Sequence, residues 1–301
     1  MKLKHLTSIT DLSSQEIVKI IKKAIALKKE LKSKGKNKNL LENKTLAMIF
    51  EKPSLRTKIS FEIGMTQLGG HAIYLGPSDI QMGTRESIED IAKVTSSMAD
   101  IVMARTFAHE SVIKLAKNST VPVINGLSDL EHPCQILADL MTILEAKKTF
   151  KNLTISFVGD CENNVTHSLA LASSLLNINF RCAAPKEYFM DKKISKHIKA
   201  FETEDPYQAV KDSDVVITDT WISMGDEKEK QQRLKIFKKY QVNKKLMDCA
   251  KKDAIFLHCL PAYRGNEVTS KVIDGKQSVV FQEAENRLHT QKALILFLLG
   301  L

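Results

Sequence analysis

The chain has 301 residues, of which 43% are hydrophobic and 27% charged, a globular composition long enough for two domains with separate cores. It contains no apolar run of about 18 residues, which excludes a helical membrane span. A net charge of +10 would suit a polyanionic partner, but the lysines are spread along amphipathic stretches. Aromatic residues make up only 6% and none run among the basic ones, so no nucleic-acid partner is expected.

Ser13 and Glu16 form a capping-box signature that opens the first long helix. Its apolar face is Ile17, Ile20, Ile21, Ala24, Leu27 and Leu31, and Lys22, Lys23, Lys28, Lys29, Lys32 and Lys34 are expected largely on the opposite, solvated side. Strands are expected at 46–50, 72–75, 101–104 and 121–124, with helical patterns near 57–69, 86–98, 109–118 and 132–147. After Lys147-Lys148-Thr149 the pattern restarts, with strands at 153–158, 180–183, 215–218 and 255–258 and a short edge strand at 279–281. Strands alternating with helices predict an α/β fold of two open, mostly parallel-sheet domains with helices on both faces. The expected domains are 1–149 and 150–285, with a last helix over 286–301 folding back on the N-terminal domain. Ligands of such sheets bind beyond the carboxyl ends of the strands.

Four segments at those ends carry chemistry. Phe50-Glu51-Lys52-Pro53-Ser54-Leu55-Arg56-Thr57-Lys58 joins a strand to a helix start, where unpaired N–H groups, two hydroxyls and a guanidinium suit a phosphate-sized anion. Alone, the same residues would also describe a capped helix with a solvated arginine. Glu131-His132-Pro133-Cys134-Gln135 precedes an apolar helix, and His132, with Arg105 at the end of an earlier strand, could donate to a substrate carbonyl oxygen or simply hydrogen-bond structurally. The turn Gly159-Asp160-Cys161-Glu162-Asn163-Asn164 lacks the glycines of a dinucleotide fingerprint, and its carboxamides at a helix start suit a small carboxylate. Asp219 is placed to pair with an ammonium group or to cap a loop. Cys259 is either a thiol at a crevice or a small buried hydrophobe.

Taken together and in this order, the segments resemble the aspartate/ornithine carbamoyltransferase family over essentially the whole chain. Ser54-Leu55-Arg56-Thr57 and His132-Pro133-Cys134-Gln135 look like its carbamoyl-phosphate motifs. Asp219-Thr220-Trp221-Ile222-Ser223-Met224-Gly225, Tyr240-Gln241-Val242-Asn243 and His258-Cys259-Leu260-Pro261 look like its ornithine-using branch. The resemblance implies that Ser54, Leu55, Arg56 and Thr57 bind the phosphate of carbamoyl phosphate, that Arg105 bridges phosphate and carbonyl, and that His132 and Gln135 contact the carbamoyl group. Cys259, Leu260 (through its backbone) and Arg287 would complete that site. Gln81 matches a loop that reaches into a neighbouring subunit, which implies a homotrimer or a multiple of trimers. Asn164, Asp219, Ser223 and Met224 match positions that hold the α-carboxylate and α-amino groups of ornithine. Leu55 stands where threonine is frequent, which matters little if the residue contributes only its N–H.

The implied reaction is attack of the ornithine δ-amine on carbamoyl phosphate, giving citrulline and phosphate in arginine biosynthesis or, run backward, serving arginine breakdown, with Arg105, His132, Cys259 and Asp219 as the catalytic set. No metal or organic cofactor is expected, because no ligand cluster for one is visible. Five cysteines (Cys134, Cys161, Cys182, Cys249 and Cys259), odd in number and widely spaced, point to free thiols and a cytoplasmic protein; the polar residues after Met1-Lys2-Leu3-Lys4-His5 do not form a secretory leader. The Ser223-Met224-Gly225 segment, beside a long polar stretch from Gly225 to Lys245, reads as part of a lid that closes over the amino-acid site. Putrescine or an N-acylated ornithine remains an alternative acceptor, although Asp219 with Ser223 favours a free α-amino group.

Overall fold

The computed structural model describes residues 4–222 and 229–301. In chain order, α1 (Ser14–Lys34), β1 (Thr45–Phe50), α2 (Leu55–Gln67), β2 (His71–Leu75), α3 (Pro77–Ile80), α4 (Ile88–Met98), β3 (Ile101–Arg105), α5 (His109–Asn118), β4 (Val123–Leu127) and α6 (Pro133–Lys147) come first. Then follow β5 (Thr154–Val158), α7 (Asn164–Leu175), β6 (Asn179–Ala183), α8 (Lys192–Ser195), β7 (Ala200–Thr203), α9 (Pro206–Val210) and β8 (Val215–Thr218). The chain ends with α10 (Lys230–Phe237), α11 (Lys244–Met247), β9 (Ile255–His258), α12 (Ser270–Ile273) and α13 (Val280–Leu299). It divides into two compact units, Met1–Met141 with Glu285–Leu301, and Thr142–Ala284.

The first unit holds a parallel sheet in the order β2-β1-β3-β4. Alternate residues of β1 and β3 (Ala47, Ile49, Val102, Ala104) meet Ile91, Ala92, Val112 and Leu115 of α4 and α5 in one core. Helix α1 starts as its sequence directs, with Ser13 and Glu16 in a reciprocal capping box, and ends at Gly35 in the left-handed region. Helix α13 packs back on this unit. Its Lys292 Nζ donates to Asn37 Oδ1 at 2.8 Å and Gln67 Oε1 at 2.7 Å, and Gly64 of α2 admits the close approach, since a Cβ there would lie 3.3 Å from Lys292 Cγ.

Lys28 departs from the expected solvated face. It is buried, and its Nζ donates to Asn286 Oδ1 at 2.7 Å. Its spacing of four from Ala24 puts it on the apolar face, and the methylene stem packs there while α13 supplies the polar partner. Strand β4 begins two residues later than expected, after Pro122, which has no N–H to give to a ladder.

The second unit has a parallel sheet in the order β7-β6-β5-β8-β9. Its core joins Val158, Val216 and Phe256 to Trp221, Phe237 and Tyr240. Two elements differ from the sequence expectation. The proposed strand at 279–281 is absent: Ser278 makes an isolated bridge to Phe256, and α13 starts at Val280. A three-residue apolar run carries no period, and the helical spacing that continues through Ala284 and Leu288 wins. Conversely, β7 gave no signal, because as an edge strand it buries neither face well.

Candidate functional site

In the first unit, α2 begins at the carboxyl end of β1. Its N-cap Ser54 makes no side-chain capping bond; its Oγ instead donates to Thr57 Oγ1 at 3.1 Å. The first-turn N–H groups are thus left to a ligand. Leu55 turns its side chain outward, 68% exposed, so only its backbone can face such a ligand. Thr57 is buried. Register pairs Phe50 with Arg105 at the end of β3, which brings that buried arginine next to the same strand end.

Pro133 opens α6, as a proline at the first helical position should, and His132 immediately before it is buried. Burial, then the charges of Arg287, Arg105, Lys52 and Arg56, hold its imidazole well below the usual histidine range. His132 is therefore neutral at pH 7 and sits among four cations. Gln135 bridges the cluster: its Nε2 donates to Asp139 Oδ1 at 2.9 Å, while its Oε1 accepts from Arg287 Nη1 at 2.7 Å. Arg287 Nη2 reaches Thr57 Oγ1 at 3.4 Å. Thr57, Gln135 and Arg287, far apart in the chain, thereby become one buried group. Gln81 stands apart from it in character, exposed and left-handed (φ 41°) at the C-cap of α3.

Lys52 was passed over in the sequence. It is half-buried with its Nζ 4.9 Å from the Phe107 ring centroid, and burial followed by Arg105 lowers its pKa. Its place within the anion-binding segment was the available signal.

In the second unit, Asn163 is committed to capping α7, accepting from Thr166 N at 2.8 Å and donating to Asp160 O at 2.7 Å. Asn164 occupies the first helical position. Asp219 and Cys259 follow β8 and β9, and Cys259 Sγ lies 3.0 Å from Asp219 Oδ1. Leu260 is left-handed (φ 57°) and its N–H is given to His258 Nδ1 at 2.9 Å, which leaves its carbonyl as the backbone group for a substrate. Ser223 and Met224 lie outside the described residues, as does the start of the stretch read as a lid. The remainder of that stretch includes α10 and α11, with Phe237 and Tyr240 fully buried.

Asp219, His258 and Cys259 each bring a potential metal-ligand atom within 4.8 Å of the others, a cluster the sequence did not reveal. His258 does not fit a cation there. Its Nδ1 lone pair accepts from Leu260, so Nε2 is the protonated nitrogen, 3.2 Å from Glu267 Oε1. Both nitrogens are thus committed to the turn.

Two family models cover the chain: "Aspartate/ornithine carbamoyltransferase, carbamoyl-P binding domain" matches residues 4–145 and "Aspartate/ornithine carbamoyltransferase, Asp/Orn binding domain" matches residues 151–298. An ornithine carbamoyltransferase of Methanosarcina acetivorans is 51% identical over 297 residues, 97% of this chain and 98% of its own. One from Archaeoglobus fulgidus is 48% identical over 303 residues, 99% and 98% of the two chains. The solved structure of ornithine carbamoyltransferase from Pyrococcus furiosus superposes with a TM-score of 0.94 at 48% identity, covering 99% of this chain and 97% of that one. The anabolic ornithine carbamoyltransferase of Campylobacter jejuni gives 0.91 at 42% identity, with 98% of each chain covered. The chain belongs to the aspartate/ornithine carbamoyltransferase family.

Proposed function

We propose that this chain transfers the carbamoyl group of carbamoyl phosphate to the δ-amine of L-ornithine, producing L-citrulline and phosphate. The observation that carries the reading is the buried Thr57–Gln135–Arg287 group beside a neutral His132, set at a helix start without a side-chain cap. Such a site neutralises a multiply charged phosphate and offers donors to a carbonyl oxygen. The choice of ornithine is supported by relatives of that name near 50% identity over the full chain.

In this reading Ser54, Leu55 N–H, Arg56 and Thr57 hold the phosphate. Arg105, His132, Gln135 and Arg287 address the carbamoyl group and its bridging oxygen, with Cys259 and the Leu260 carbonyl assigned to the same substrate. Asn164, Asp219, Ser223 and Met224 hold the amino acid. Because His132 is neutral, it acts as a hydrogen-bond donor to the carbamoyl oxygen as negative charge grows there, without adding a fifth cation. The attacking amine must be neutral too, and with a reference pKa near 10.4 only about one molecule in 2,500 is neutral in water at pH 7. Asp219 with Cys259 forms the acceptor pair through which the nitrogen loses its proton. The new bond joins nitrogen to the carbamoyl carbon; the bond from that carbon to the phosphate oxygen breaks, and phosphate departs with the electron pair. The exchange balances without a redox partner.

The enzyme works as a homotrimer in which Gln81 of one copy completes the site of the next. Leu55, Ile59 and Ile63 recur every four residues as an exposed apolar stripe on α2, and Ile73 is exposed on the edge strand β2, a surface that contact between copies would cover. None of the five cysteines forms a disulfide, which supports a cytoplasmic setting, and the anabolic neighbour supports the citrulline-forming direction. A colorimetric ureido assay with ornithine, putrescine, N-acetylornithine and lysine tests the activity: product from ornithine alone supports it, and no product from ornithine overturns it. Light scattering of the purified protein tests the assembly, and a monomer would overturn it.

A further inference from the structure

Arg233 of α10 is buried and ties several groups together, with Glu229 Oε2 3.8 Å from its Nη1. Its Nε donates to the Trp221 carbonyl at 2.6 Å, its Nη2 pairs with the Asp160 carboxylate, and its guanidinium carbon lies 5.0 Å from the Tyr188 ring centroid and 5.4 Å from that of Phe237. Asp160 is equally buried and also accepts from Glu162 N at 3.0 Å. One side chain therefore bolts the turn after β5 to the turn after β8.

Those two turns flank a special place in the sheet. From β5 the chain winds outward through β6 and β7 to one edge, then returns to β8 and continues to β9 at the other. The gap between β5 and β8 is the topological switch point, where ligands of open α/β sheets bind. The β5–β8 ladder ends at Phe157 and Ile217, apart from a bond from Thr218 Oγ1 to Val158 O at 2.6 Å. Beyond that, backbone pairing no longer sets the separation of the turns. Gly159 adds a second constraint, since its φ of 137° is a backbone conformation that residues with a Cβ rarely adopt.

A buried ion pair is a poor way to gain stability, because apolar residues of similar volume do as well or better. Burial in fact raises the Asp160 carboxyl to about 6 against the pull of Arg233. What such a pair supplies is fixed orientation.

We propose that Arg233 and Asp160 are a positioning pair that sets the spacing of the turns bearing Asn164 and Asp219, and so governs affinity for the amino-acid substrate without touching it. This rests on the reading that the second unit holds ornithine. The effect falls first on ornithine, because Asn164 and Asp219 sit on the two turns that the pair joins, whereas Thr57, Gln135 and Arg287 belong to the first unit.

The test compares Arg233→Lys, Asp160→Asn and the apolar double variant Arg233→Met/Asp160→Leu with the unaltered protein, in initial-rate assays varying each substrate and in thermal unfolding. The expected result is a KM for ornithine raised at least tenfold in all three, a KM for carbamoyl phosphate within twofold, and a double variant that unfolds no earlier than the unaltered protein. The double variant decides the matter if either single variant fails to fold, since it removes both buried charges together. A double variant with unaltered ornithine KM, or one in which both KM values rise together, overturns the proposal. Lack of citrulline formation by the unaltered protein would instead overturn the assigned activity, and this proposal with it.

Discussion

Cys259 Sγ lies 3.0 Å from Asp219 Oδ1 because Thr218 and His258 are register partners at the ends of adjacent parallel strands. Each residue is the first one past the ladder, so the pair is placed by the sheet and not by a flexible loop. Replacing Asp219 by Asn keeps the shape and removes the charge. We expect kcat/KM for ornithine to fall roughly a hundredfold or more, with the KM for carbamoyl phosphate within twofold. Steady-state rates with each substrate varied check this, and equal damage to both would contradict the division of roles.

Arg287 supplies the donors that join Gln135 to Thr57. Arg287→Met should raise the KM for carbamoyl phosphate roughly tenfold to a hundredfold, the value of a charge-assisted hydrogen bond. Arg56→Ala should act in the same direction. Ornithine KM measured at saturating carbamoyl phosphate should stay near that of the unaltered enzyme.

Burial and the surrounding arginines keep His132 neutral. Nitrogen-15 NMR of the imidazoles should show one that stays neutral where ordinary histidines take up their proton, and the acid limb of the rate profile should not belong to it. His132→Asn should lower kcat by about a hundredfold to a thousandfold, as for the loss of one donor to a developing oxyanion.

Lys292 is buried against two amide oxygens, and burial lowers its ammonium to about 8. Between that value and the ordinary lysine pKa near 10.4 the unfolded chain binds more protons than the folded one, so stability rises with pH across this window. Glu30 opposes the shift and His289 neighbours the lysine on α13, but burial dominates. Urea unfolding at pH 7.5 and 9.5 should show the unaltered protein gaining stability relative to Lys292→Met as pH rises. A gap that narrows in the other direction would contradict the sign.

The sequence made the strand-to-helix junctions readable because their chemistry is local. Ser54 to Thr57, His132 with Pro133, and Asn163 with Asn164 each announce a helix start within a few residues. Asp219 and Cys259 could be named singly, but their contact needed the β8–β9 register. Arg233 was illegible: it sits in a run of Glu and Lys, and only the partners Asp160, Tyr188 and Phe237 reveal it as interior. Lys28 and Lys292 look like surface residues until α1 and α13 are brought together, since their acceptors come from remote parts of the chain. Lys52 was visible within its segment, yet a lone lysine there carries no spacing that distinguishes a site residue from a solvated one.

The Thr57–Gln135–Arg287 group has its last member on the terminal helix. In the proposed reading the anion site is therefore assembled by docking: until α13 lies against α2 and α6, Thr57 and Gln135 lack the guanidinium that joins them. The same helix buries Leu294, Ile295 and Leu296 in the core of the first unit, so the fold of that unit and the completion of its anion site are one event.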